Sequence, residues 1–243
     1  VVSARASEHE DVRRSLEALG VDIHQARALR IAIWNAMWRD RRDDDEFQSV
    51  ATRTIMVEPD TLVRAAAIGT QAPFPLRAVT IASASQMEFT RALQMLVRSE
   101  ENDYVRRVAY RRLVQVNEPE TVPAILSAAL TDPSDGVRLA IWAQVGLLAG
   151  IDTRYFDSAV VALQTEASSR VRQQLVETLG TSLVLYKGWI DLGGQRIGDR
   201  ITELQRGQAL RVLRVVAEGD SNPRIRQAAL DALQKERERD ASR

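Results

Sequence analysis

His9 and His24 are the only imidazoles in the chain, and it has no cysteine. That excludes thiolate nucleophiles, Cys-bound zinc and iron–sulfur clusters, and two histidines do not make a His-rich metal site. The expectation is therefore no metal and no cofactor. The serine pairs Ser83/Ser85 and Ser168/Ser169 have no histidine within motif reach and read as helix ends and caps. There is no GxxxxGK[ST] loop, and Gly193-Gly194 lacks the strand–turn–helix setting of a nucleotide site. His24 is expected to cap or cover a helix starting at Asp22, while His9 lies near the terminus. No residue is assigned a catalytic role.

What remains is charge and repetition. The 243 residues carry 33 Lys+Arg against 33 Asp+Glu, so the net charge of zero supplies no long-range steering toward a polyanion. Hydrophobic residues make up 45%, enough for a continuous core. No run of about 18 apolar residues is present, so no membrane span is expected. Only Lys187 and Lys235 are lysines, a skew that GC-rich bacterial coding produces. The chain starts at Val1, which suggests a processed form or a fragment of a longer polypeptide with neighbouring domains. The cytoplasm is the expected compartment, and the absence of cysteine fits the periplasm equally.

The elements that must position any site are helices. Asp11–Leu19 and Asp22–Arg39 have helical apolar spacing, the second through Ile23, Ala26, Leu29, Ile33, Ala36 and Met37, widened by Ile31, Trp34 and Trp38. The charged run Arg39–Glu46 then reads as a solvated turn or helix start. Further helices are expected at Phe47–Val57, Asp60–Ile68, Pro75–Ser83, Glu88–Arg98, Asp103–Val116, Thr121–Leu130, Asp135–Ala149, Tyr155–Thr165, Ser169–Leu183, Ile201–Ala217 and Pro223–Arg237. The four-glycine stretch within Thr181–Arg200 reads as a long loop, with a short hairpin around Gly193-Gly194.

An apolar-Arg pair recurs near the start of every second helix, with Arg64, Arg106, Arg138, Arg172 and Arg226. Six residues before each Arg stands an acid: Glu58, Glu100, Asp132, Glu166 and Asp220. Three residues after each Arg stands an apolar side chain, and from Arg106 onward the seventh residue is apolar too, which places both on one helix face. The Arg-to-Arg intervals are 42, 32, 34 and 54, so units of about 30–34 residues are interrupted near residues 70–85 and 181–201.

This pattern resembles the HEAT-repeat family in its short form, over roughly residues 46–180 and 202–235. The resemblance implies an all-α fold, a right-handed HEAT-like α-solenoid, in which the ten acids and arginines form a structural ladder bridging within or between repeats. The physical reading agrees: an acid beside a helix N-terminus meets unpaired N–H groups, and an Arg fork can bond it or a linker carbonyl. The expected organisation is one domain, 1–243, with a helical cap at 1–45, repeats at 46–180, a loop insertion at 181–201 and a terminal repeat at 202–237.

Two enzyme families share that architecture. HEAT-like hydroxylases hold two irons through several His-Glu pairs, and this chain has one, His9-Glu10. HEAT-like DNA glycosylases imply a basic concave face and a catalytic Asp. No residue here aligns with that Asp. The +1 and +5 positions counted from each ladder Arg are basic only at Arg107 and Arg111, beside Arg112. They become Leu139/Ala143, Gln173/Glu177 and Gln227/Asp231 later. DNA binding is kept as the alternative. The favoured reading is a non-enzymatic protein-interaction module or scaffold. Its partner residues are expected to be Arg107, Arg111, Arg112, Gln173, Glu177, Trp189, Gln227 and Asp231. Trp189 either touches ligand or, with Ile190, pins the insertion to the next repeat. Trp34 and Trp38, four apart on one face, are expected to cover the first repeat as a cap, the alternative being a dimer or partner patch, and Trp142 is expected in the core.

Overall fold

The helix starts are written in the side chains. Asp44 accepts the N–H of Phe47, Asp60 those of Leu62 and Val63, and Asn102 those of Tyr104 and Val105. Ser83 and Thr202 form capping boxes with Gln86 and Gln205, in which each glutamine reaches back to the cap's own N–H. The structure is a computed structural model and describes residues 14–15, 18, 20–41, 44–69, 83–146, 153–184, 189–190, 196–197 and 201–241. The chain divides into two compact units, Val1–Thr121 and Val122–Arg243.

In the first unit the helices are α1 (Arg27–Arg41), α2 (Asp45–Val57), α3 (Thr61–Ile68), α4 (Ala84–Ser99) and α5 (Asp103–Val116). Helices α2 and α3 form one pair and α4 and α5 the next. Stacking the pairs lays α1, α3 and α5 in one layer and α2 and α4 in the other. Thus α1 stacks in the layer of second helices. Helix α1 begins five residues later than the periodicity predicts. Asp22 does not start it, because its carboxylate closes a local turn, accepting the N–H of His24 at 2.9 Å and Gln25 Nε2 at 3.0 Å. Such a side-chain bond competes with helix formation. His24 itself is exposed.

The buried stripe of α1 is also rotated from the expected one. Arg30, Ile33, Trp34, Met37 and Trp38 are buried, while Ile23, Ala26, Leu29 and Ala36 are exposed. Trp34 and Trp38 both pack on Phe47, with centroids 5.8 and 4.8 Å away, and Trp38 also reaches Phe89 at 5.5 Å. Their indole N–H groups donate to the carbonyls of Gly20 and Ala67, so burial leaves neither unsatisfied. The two tryptophans are core, and neither belongs to a partner patch. The expected helix Asp11–Leu19 lies largely outside the described residues, although Arg14, Ser15 and Ala18 are helical. Residues 75–82 of the expected Pro75–Ser83 helix also lie outside, and Ser83 is the cap of α4.

In the second unit the helices are α6 (Val122–Thr131), α7 (Asp135–Val145), α8 (Thr153–Thr165), α9 (Ser169–Val184), α10 (Glu203–Gly219) and α11 (Pro223–Ala241). Helices α7, α9 and α11 stack in one layer and α6, α8 and α10 in the other. Trp142 is fully buried on α7 and donates to the carbonyl of Ala129 at 3.1 Å. Residues 147–149 of the helix expected to reach Ala149 lie outside the described residues. Between α9 and α10, β1 (Trp189–Ile190) pairs antiparallel with β2 (Arg196–Ile197), in register Trp189 to Ile197. Gly193-Gly194 lies outside the described residues. Helix α11 runs four residues past the expected end at Arg237, to Ala241.

Gly69 ends α3 in the left-handed region at φ 93°, its N–H bonded to the carbonyl of Ala66. A Cβ there would meet the Trp38 ring at 2.9 Å. Gly69→Ala therefore combines backbone strain with a steric clash and is expected to cost about 2–4 kcal/mol, read as a lower urea midpoint with an unchanged slope.

Candidate functional site: the arginine ladder and the exposed second-helix positions

Each linker between a first and a second helix is held by its acid. Glu58, Glu100, Asp132, Glu166 and Asp220 accept the N–H two residues on, from Asp60, Asn102, Ser134, Ser168 and Asn222. These donating residues open the next helix. The arginine six residues after the acid turns back onto the same linker: Arg106, Arg138, Arg172 and Arg226 donate Nη1 to the carbonyls of Glu100, Asp132, Glu166 and Asp220.

The remaining guanidinium N–H groups reach forward to the acid of the following unit. Arg64 pairs with Glu100. Arg138 binds Glu166 through Nε at 2.9 Å and Nη2 at 2.8 Å. Arg172 binds Asp220 the same way, at 2.7 and 3.2 Å. This two-pronged geometry uses the planar fork, which lysine lacks.

Electrostatics follow the bonding. The Arg172 guanidinium holds the Asp220 carboxyl below its ordinary value of 3.8, with the Asn222 N–H adding to the effect. Burial pushes Glu166 up, but the bonds from Arg138 and the Ser168 N–H outweigh it and leave the group below 4.5. The partner arginines are shifted up by the same contacts.

A sixth rung went unread in the sequence. Arg30 on α1 pairs with Glu58, both buried, and its Nε donates to the Gly20 carbonyl. The signal was present: Arg30 precedes Glu58 by 28 residues, the interval that separates Arg138 from Glu166. It was hidden because His24 occupies the position six before Arg30. Arg206 and Glu236 form a further pair, at 2.7 Å between α10 and α11, that the periodicity did not suggest.

Of the expected partner residues, Arg112 is misplaced. It is 2% exposed, with its guanidinium 4.4 Å from the Trp38 ring centroid and 5.8 Å from that of Phe89. A buried cation over aromatic faces stabilises the core and offers nothing to a partner. Arg107 and Arg111 are half-buried, Arg107 lying over the Tyr104 ring at 4.9 Å. Arg111 borders a small cleft with Gly69, Val108, Arg112 and Gln115. On α9, Gln173 and Glu177 are exposed and bonded to one another at 3.1 Å, and on α11 Gln227 and Asp231 make the same pair at 2.8 Å. Leu139 is half-buried and Ala143 exposed. Trp189 is in β1, and its side chain lies outside the described residues, as does His9.

Of the four serines, Ser83 is a cap, and its Oγ also donates to Asp45 at 2.6 Å; Ser168 stands just before α9, and its Oγ donates to Asp135 at 3.1 Å. Among the described residues no group of three or more His, Asp or Glu is placed to hold a metal ion. No described helix is long and apolar enough to cross a membrane.

Residues 89–180 match the family model for HEAT repeats. A crystal structure described as that of an engineered protein is similar at a TM-score of 0.48 and 13% identity, covering 92% of this chain and 97% of that one. No curated protein matches the chain. The fold is all-α and of the HEAT-like solenoid class.

Removing one partner of a largely buried pair leaves the other charge uncompensated. Arg172→Met is expected to cost about 3 kcal/mol at neutral pH. Because Asp220 is depressed in the folded state, the stability it supplies is present above its ordinary value of 3.8 and is lost as the pH falls through the lower folded value. The gap in Tm between wild type and Arg172→Met should thus be widest above pH of about 5 and narrow in acid, as thermal scans across pH would show.

Proposed function

We propose that the chain is a non-enzymatic protein-interaction module or scaffold. The observation that supports this most directly is the division of labour on the second helices. On α5, α9 and α11 the ladder arginines and the +3 and +7 residues are committed to linkers and core, while the +1 and +5 side chains are exposed on α9 and α11 and half-buried on α5. HEAT repeats generally act as interaction scaffolds, and a match to them over residues 89–180 favours the same use here. The partner residues in this reading are Arg107 and Arg111 on α5, Gln173 and Glu177 on α9, and Gln227 and Asp231 on α11. Trp189 of the insertion joins them. Arg112 leaves the set because its guanidinium is spent on Trp38.

Recognition requires no chemical step. The side chains stand on helices whose positions are locked by the stack, so little ordering entropy is lost on binding. Arg107 and Arg111 suit an acidic partner segment, and the Gln–Glu and Gln–Asp pairs suit a polar one.

Retention from a native lysate on the purified chain, compared with the Arg107→Glu/Arg111→Glu variant, tests this. A protein retained at stoichiometric amount by wild type and lost from the variant is the expected result. Both side chains are partly exposed, so the variant should keep its Tm within a few degrees. Retention of nucleic acid would favour the DNA-binding alternative, and equal retention by both baits would refute this placement of the surface.

A further inference from the structure

We propose that the outer face of α2 and α4 in the first unit is a docking site for an acidic amphipathic helix of a partner protein, received by Arg53, Met56, Met95 and Arg98. The two helices lie in one register. Phe47 and Phe89 each stand eleven residues before a linker acid, Glu58 and Glu100, and both pack on Trp38. The helix starts adjoin, because Ser83 Oγ at the α4 cap donates to Asp45 at 2.6 Å. Helices α2 and α4 therefore run parallel, and equivalent residues face the same way. Ala51 and Leu93 are buried, as are Ile55 and Val97. The residues five before each acid, Arg53 and Met95, and those two before it, Met56 and Arg98, are all exposed.

This face interleaves two cations with two apolar side chains. On each helix the arginine and the methionine are one turn apart, and their order is reversed between the helices, so each methionine has an arginine beside it along its own helix and across the seam. Among the described residues neither Arg53 nor Arg98 has an ion pair or a side-chain hydrogen bond, whereas Arg27, Arg30 and Arg64 of the same unit bond Asp60, Glu58 and Glu100. Met37 belongs to the core, but Met56 and Met95 are 45% and 57% exposed. Exposed methionine is an adaptable apolar surface, and a guanidinium beside it selects for carboxylates. Neither helix stands at an end of the sequence. Both are packed on their second helices, α3 and α5, and the face is the one turned away from that layer.

The charge pattern identifies the occupant. Arg53 and Arg98 lie toward the C-terminal ends of their helices, and twelve residues before each linker acid, near the other end of the same face, stand the exposed Glu46 and Glu88. A uniformly anionic surface, such as a lipid bilayer or a duplex, would be attracted at one end of the face and repelled at the other. A protein segment can place its acids over Arg53 and Arg98 alone and its apolar side chains on the two methionines. A helix is the form that fits, because the backbone groups of α2 and α4 are consumed within the helices and offer no ladder to an extended strand. The face lies in the layer opposite to α5, so it is separate from Arg107 and Arg111 and its test stands apart from theirs.

The probe is a phage-displayed library of random peptides about five helical turns long, panned on the immobilised full chain. Recovered peptides are then made with a fluorescein label and titrated by anisotropy. Enrichment of sequences that place Asp or Glu one turn from Leu, Ile or Phe is expected. Their affinity should fall about tenfold with Arg53→Glu/Arg98→Glu and, separately, with Met56→Ser/Met95→Ser. All four side chains are exposed, so both variants should keep the wild-type Tm. Arg107→Glu/Arg111→Glu should leave the affinity for the same peptides unchanged. Recovery of no peptide that either α2–α4 variant weakens, or of peptides without an excess of acid, would overturn the proposal. So would binding to phosphatidylserine vesicles that Arg53→Glu/Arg98→Glu abolishes, which would give the face to a lipid surface. Self-association in sedimentation that the same variant abolishes would give it to a second copy, and would overturn the proposal too.

Discussion

A helix start leaves N–H groups without backbone partners, and each of these repeats must meet that demand within a linker of three residues. The solution here is a carboxylate that turns onto the N–H two positions ahead, as Glu166 does with Ser168, and an arginine that clamps the same linker from the other side. Neither charge is tolerable alone in a largely buried setting. Together they satisfy the linker carbonyl and the helix start, and the fork of the preceding arginine, as Arg138 does with Glu166, neutralises the acid and ties one repeat to the next.

Because the contact is local to the linker, the length of chain between rungs is free to vary. Arg138 and Glu166 are 28 residues apart, Arg64 and Glu100 are 36 apart, and Arg172 and Asp220 are 48 apart, yet each closes the same kind of pair. Loop closure entropy grows only slowly with length, so an insertion adds little cost provided its ends return to the rung. The stretch containing β1 and β2 is such an insertion, placed between α9 and α10 where the stack does not require a fixed length.

Aromatic packing takes over where the ladder's periodicity weakens. In the first unit Trp38 lies edge-on to Phe47, against the glycine that ends α3, and beneath the guanidinium of Arg112. Gly69 is needed there twice, for its left-handed backbone and for the space its missing Cβ leaves to the indole. A cation that looks from its neighbours like part of a basic patch is in fact a core residue. The surface available for recognition is correspondingly less basic than the run Arg106, Arg107, Arg111 and Arg112 suggests.

The sequence by itself determined the all-α class, the period, most helix boundaries within two or three residues, and the pairing of acid with arginine. These follow from local rules: apolar spacing of a helix face, caps one residue before it, and an offset of six that bends a side chain back onto its own linker. It did not determine which arginines carry a forward partner. Arg30 lacks a preceding acid and pairs with Glu58, a contact that depends on α1 stacking on α3. Nor did it separate Arg112 from Arg111, since one residue is a rotation of about 100° on a helix and only the neighbouring Trp38 decides which of the two is buried. The same holds for Leu230, whose helix position matches that of Val176 but whose burial depends on a neighbour that α9 has and α11 lacks among the described residues. Local chemistry writes the repeat, and only the packed stack decides which of its repeated surfaces remains open.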